Sequence, residues 1–231
     1  MKKIVFALAM IVIASCSKEQ HDLVVKTNVK GLKKGTVYLK KVQDTVLVTV
    51  DSVVVNGNSQ FELYSPLESP EMFFLYLNKN TSENERIPFF ADKGVTEIHT
   101  TVKDFALDAK INGSEQQKTL ENYQQMIGRL NDQNLDLIKA SFEARKENDQ
   151  TKIDSIDKLS LNLIKRRYLF TVNFAINNKN SEVAPYLALS EIYNAKVNLL
   201  DTINNSLTDK VKASKYGVEL QKFIDKIKEA E

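Results

Sequence analysis

From Leu23 to Ile111 the chain alternates apolar and polar residues with a period of two, and turn residues cut the pattern into short runs. Val25, Thr27 and Val29 open the series, and Gly31 to Gly35 forms a lysine-bearing turn. Thr36–Val42 and Thr45–Val55 are rich in β-branched residues, with Asp44 between them. Asn56-Gly57-Asn58 then separates Val53-Val54-Val55 from Phe61-Glu62-Leu63-Tyr64, which predicts a hairpin at that pair. Pro66 and Pro70 bound a loop, because proline cannot donate within a central ladder. Met72–Leu77 is continuously apolar and fits a strand buried on both faces. Ile87–Phe90, Val95–Val102 and Phe105–Ile111 complete about eight short strands, with turns at Asp92–Gly94 and Lys103-Asp104.

At Ser114 the period becomes helical. Ser114 and Gln117 have capping-box spacing, which makes Ser114 the N-cap. Leu120, Tyr123, Met126-Ile127, Leu130, Leu135 and Leu137-Ile138 recur at three and four residues, giving one apolar face. Lys146 to Thr151 is a charged break. Ile153, Ile156, Leu159, Leu163-Ile164, Tyr168 and Val172 carry a second helix to about Ile176, so the two form a helical hairpin. Asn177–Asn180 stops it. Ser181 caps a third helix, with Pro185 tolerated in its first turns. Leu187–Tyr193, Leu199–Leu207 and Val211–Ile227 read as shorter helices.

The expected fold is therefore α+β. A β-sandwich or partly closed barrel of antiparallel strands spans residues 22–112, and an α-helical region with a long hairpin spans 113–231.

The first residues follow a different rule. Lys2 and Lys3 precede an unbroken apolar run from Ile4 to Ala14, and Ser15 and Cys16 follow. That is the layout of a secretory signal, predicted here over 1–15. The run is too short for a membrane span, which takes about twenty residues. Ile13-Ala14-Ser15-Cys16 resembles the lipobox of bacterial lipoproteins. The resemblance implies a diacylglycerol on the Cys16 thiol, cleavage before it and acylation of the new amine, palmitate being a typical chain. The partner implied is a lipid bilayer. Each buried methylene adds about 0.8 kcal/mol, so two or three chains make release negligible. Residues 16–21 then form a tether. From Cys16 to Leu23 it reaches at most about 25 Å, at roughly 3.3–3.6 Å per residue.

Charge alters the picture once that segment is set aside. Lys+Arg is 32 and Asp+Glu 30; without Lys2 and Lys3 the count is 30 against 30. A net charge of zero gives no electrostatic case for nucleic acid. Cys16 is the single cysteine, so stability must come from the core, which a chain of this length supplies amply.

Asp51-Ser52-Val53-Val54-Val55-Asn56-Gly57 leading to Phe61, Pro70 before an apolar strand, and Ile111-Asn112-Gly113-Ser114 opening a helix together resemble a widespread domain, domain of unknown function 4369. The likeness covers roughly Asp22 to Ser114. It implies an envelope lipoprotein of Gram-negative type, in which such a domain usually precedes a helical segment and a thioredoxin-like domain. Ser214-Lys215-Tyr216-Gly217, followed by Leu220 and Ile224, resembles the last helix before that domain. No cysteine follows Cys16, so a Cys-x-x-Cys site is not expected and the accessory portion alone is.

Residues with chemistry in them have structural readings. His21 lies in the tether. Glu97 and His99 alternate on one strand face, and a zinc site would need a third ligand. Gly31 to Gly35 lacks the Gly-Lys-Ser/Thr of a phosphate loop. Lys165-Arg166-Arg167 spreads around a helix as a solvated patch. Phe73-Phe74-Leu75-Tyr76 and Phe89-Phe90 fit a core, and Tyr123, Tyr168, Tyr186 and Tyr193 fit helix packing.

No catalytic, cofactor or metal site is expected. The expected function is a lipid-anchored binding or scaffold module of the cell envelope, at the periplasmic or surface face of the outer membrane, with an envelope protein partner. Two alternatives stand beside it: an accessory factor of envelope thiol-disulfide systems acting through a partner enzyme, and a carrier of a small apolar ligand.

Overall fold

The computed structural model describes residues 21–78 and 85–230. The signal segment, Ile13, Ala14, Ser15 and Cys16 lie outside them. Among the described residues eight strands form two four-stranded sheets, followed by helices. Sheet A has the order β4-β1-β7-β8 and sheet B the order β3-β2-β5-β6. The strands are β1 Leu23–Lys30, β2 Lys34–Gln43, β3 Val46–Asn56, β4 Gln60–Ser65, β5 Glu71–Leu77, β6 Ile87–Ala91, β7 Gly94–Thr101 and β8 Lys110–Asn112. The sheets stack as a sandwich and do not close into a barrel. Their inward residues, among them Val25, Leu39, Leu63, Phe73, Phe89 and Ile98, form one buried cluster.

Three details correct the pattern-based reading. Pairing is antiparallel throughout except β1 with β7, which is parallel. The Asn56-Gly57-Asn58 turn joins strands of different sheets, so it is a corner rather than a ladder hairpin. The β1–β2 connection holds it: the Gly57 amide donates to the Lys33 carbonyl at 2.8 Å and the Val29 amide to the Ser59 carbonyl at 3.0 Å. Asp51 bridges the same corner, its carboxylate accepting from the Tyr64 amide at 2.7 Å. Finally, Phe105 begins no strand. Its ring is buried in the sandwich core, its carbonyl accepts from the Thr100 hydroxyl at 2.6 Å, and only Lys110–Asn112 pairs.

The helices are α1 Glu115–Lys146, α2 Gln150–Asn177, α3 Val183–Glu191, α4 Val197–Ser206, α5 Asp209–Lys212 and α6 Lys215–Ala230. Ser114 is the N-cap of α1, its hydroxyl accepting from the Gln117 amide at 3.0 Å. The reciprocal arm of the expected capping box is absent, because the Gln117 side chain turns to β6 instead. Asp92 takes its place and accepts from the Glu115 and Gln116 amides at 2.7 and 3.2 Å. Gly113 precedes the cap at φ +99, and a Cβ there would stand 2.2 Å from the Val95 carbonyl oxygen. Ser181 lies two residues before α3, where its hydroxyl accepts from the Val183 amide at 3.2 Å. The expected Val211–Ile227 helix is divided between α5 and α6 at Ala213-Ser214. Among the described residues no helix is long and apolar enough to cross a membrane.

Candidate functional site

Two places gather polar side chains. The first is the outer face of sheet A. Period-two geometry turns Lys26 and Asn28 of β1, Gln60 and Glu62 of β4, and Glu97 and His99 of β7 to the same side. They line an open groove of about 400 Å³. Glu97 and His99 are both exposed, as expected of a solvated strand face. Lys26 stands 3.8 Å from Glu62. No cluster of three metal-ligating side chains occurs among the described residues. The groove offers hydrogen bonds of both signs to a polar ligand and no activated nucleophile.

The second place is the seam between strands and helices. The β2 ladder reaches β5 only as far as the Lys41–Phe73 pair, which leaves the Met72 amide without a strand partner on that side. The Tyr216 hydroxyl of α6 takes it, at 3.0 Å. One residue earlier, the almost fully buried Glu71 carboxylate accepts from Lys41 Nζ at 2.8 Å and from Lys215 Nζ of α6. Lys215 also donates from its side chain to the Val42 carbonyl at 2.8 Å and from its backbone to Ser69 Oγ at 3.2 Å. On β6 the Phe90 amide donates to Gln117 of α1 at 2.8 Å. The Phe90 ring meets Tyr186 and Tyr216 edge-on, with centroids 5.6 and 5.8 Å away. Helix α6 packs closely on α5 because residue 217 has no side chain, a Cβ there falling 2.0 Å from the Val211 carbonyl oxygen.

Burial shifts four acidic groups in and beside this seam. It pushes the Tyr216 phenol well above the ordinary tyrosine range and the Tyr123 phenol up to about 12, the latter opposed by its bond to Thr171. It also raises the Glu219 and Glu182 carboxyls. Together the hydrogen bonds, ion pairs and ring contacts of the seam hold β5 and β6 against α1, α3 and α6.

Sequence reasoning found the pieces at Ser114 and Tyr123 but missed Glu71, Asp92, Gln117 and Lys215 as a set. The partners that join them across elements lie 22 to 173 residues away, beyond any local spacing. Tyr186 and Tyr123 pack as expected, and Tyr168 reaches Asn194 at 2.7 Å. Tyr193 is instead exposed, because α3 ends before it. Of the basic cluster, Arg167 is only partly exposed and stands 3.8 Å from Glu191, while Lys165 and Arg166 remain solvated. His21 stacks on Tyr64 with centroids 4.3 Å apart.

No curated protein matches the chain. Over residues 23–120, from the start of β1 to Leu120 in α1, the chain matches the family described as Domain of unknown function (DUF4369).

Proposed function

We propose that this chain is a lipid-anchored lipoprotein of the cell envelope, fastened through Cys16, that serves as a non-catalytic binding or scaffold module. The supporting observation is how the body begins. Asp22 sits one residue before β1, and its carboxylate accepts from the Leu67 amide at 3.1 Å and from Lys93 Nζ at 3.1 Å. The Leu67 amide first, then Lys93, holds that carboxyl below its ordinary value. The Asp22 carbonyl accepts from the Gly94 amide at 2.7 Å.

The pinned end of the sandwich is also the end where Asp92 starts α1 and Glu71 clasps α6. A bilayer-held Cys16 would therefore keep this end of the sandwich, where both halves meet, within about 25 Å of the surface, the most that the chain from Cys16 to Leu23 can span. Tethering a pre-assembled body in this way suits display or scaffolding. The ligand-carrier alternative has no comparable support, because side chains fill the sandwich interior. The redox-accessory alternative rests on the family resemblance alone.

The test is metabolic labelling with an alkynyl fatty acid, followed by membrane fractionation of the wild type and Cys16→Ser. Label and membrane association should both vanish in the variant. Retention of Cys16→Ser in membranes, or an unlabelled wild type, overturns the anchor. In-cell cross-linking of the anchored protein should recover an envelope protein, and recovery of none counts against scaffolding.

A further inference from the structure

The α1–α2 hairpin is packed at its base and bare beyond it. At the base, Ile127 of α1 is buried with Met72, Phe90 and Tyr216, and Val172 and Ala175 of α2 are buried with Ala184, Ala188 and Leu200. Eleven residues make about three helical turns and return a side chain to the same face. Eleven residues from Ile127, Val172 and Ala175 stand Ile138, Leu161 and Ile164. Leu135 and Phe142 flank Ile138 on α1 at three- and four-residue spacing. The antiparallel register, marked by Arg145–Asp157 at 3.9 Å and Arg166–Gln133 at 3.4 Å, sets the two groups side by side. The face that the body covers at the base thus continues outward as an apolar face that nothing in this chain's described residues covers.

Its extent is substantial. Leu135, Ile138, Phe142, Leu161 and Ile164 are 63, 58, 72, 59 and 40% exposed. That is on the order of 600 Å² of side-chain surface per copy, and about 1,200 Å² in a symmetric pair, the lower edge of a specific protein interface. The bare stretch of α1, from Gly128 to Lys146, is about 28 Å long at 1.5 Å per residue, with Ile138 near its middle. A second arm laid antiparallel on the first would fit tip to base without reaching the sandwich. Two antiparallel helices expose two stripes only, and a second pair completes a four-helix core.

We infer that the outer half of the hairpin is a homodimerisation surface. Two copies dock face to face about a two-fold axis crossing near Ile138, α1 lying on the partner's α1 and α2 on the partner's α2. The interface is isologous, so it closes at two copies. The inference is independent of the lipid anchor.

The test uses the full-length chain with Cys16→Ser, which removes its single thiol, plus either Ile138→Cys on the proposed interface or Leu159→Cys on the opposite side of the arm. A short bis-maleimide linker should give a covalent dimer with Cys at 138 and at least tenfold less with Cys at 159. Adding Phe142→Glu should cut the 138 product at least tenfold while leaving thermal unfolding of the dilute chain unchanged, because that side chain is solvated in the single copy. Equal linking at both positions, a monomer only, or a 138 adduct to a different protein overturns the proposal. So does vesicle flotation of the Cys16→Ser chain that Phe142→Glu abolishes, which would make the face a membrane surface.

Discussion

The two ends of the α1–α2 hairpin are built from similar residues and meet opposite surroundings. At the base, the rings of Tyr123, Phe170 and Phe174 pack in edge-on and tilted pairs with centroids 5.2 to 6.4 Å apart, and Tyr123 bonds Thr171 at 2.9 Å. Toward the tip, Leu135, Ile138 and Phe142 face water, and the turn is held by surface charges such as Lys152 with Glu147 at 3.0 Å. Identical periodicity therefore yields a keystone in one place and an open face in the other. The difference lies in what the rest of the chain brings up to each end: β5, β6, α3 and α6 reach the base only.

Substitutions can break or sharpen that contrast. Phe90→Ala removes the ring that meets Tyr186 and Tyr216 at the base, and should cost about 3–5 kcal/mol in chemical denaturation. A loss below about 1 kcal/mol would deny the seam its role. Glu71→Ala leaves two lysines facing an empty site and should cost about 2–3 kcal/mol, less than a fully buried pair because lysine stems can lift the charges to water. Ser114→Ala should cost about 1 kcal/mol, as Asp92 still serves two of the α1 amides.

A pH series sharpens the comparison further. Desolvation raises the Glu182 carboxyl, so the folded state holds its proton more tightly than the unfolded chain does. Its contribution is present at acid pH and is lost as pH rises through the raised value. Glu182→Gln should therefore raise the thermal midpoint above the carboxylate range and flatten its pH dependence there; a lower midpoint at neutral pH would reverse that sign. The smallest effect belongs to the tip. Leu135→Ser should stay within about 0.5 kcal/mol when unfolding is followed at dilution, since the side chain is already solvated in one copy.

Local pattern determined much of this protein by itself. Alternation, together with the continuous apolar run Met72–Leu77, placed the strands from β1 to β7, and three-and-four spacing placed α1 and α2, because strand and helix periods are properties of the backbone. The cap at Ser114 was legible for the same reason: its partner lies three residues away. Tertiary structure decided the rest. That Asn56-Gly57-Asn58 turns a corner between sheets follows from the Lys33 and Ser59 backbone groups. That Phe105 plugs the core instead of opening a strand depends on the fifteen other buried residues of the sandwich cluster that close around it. That Glu71 can be buried at all depends on a lysine 30 residues away and another 144 residues away. Spacing carries information only as far as one element runs. Which face is covered and which carboxylate is neutralised are set by elements that meet only when the whole chain has folded.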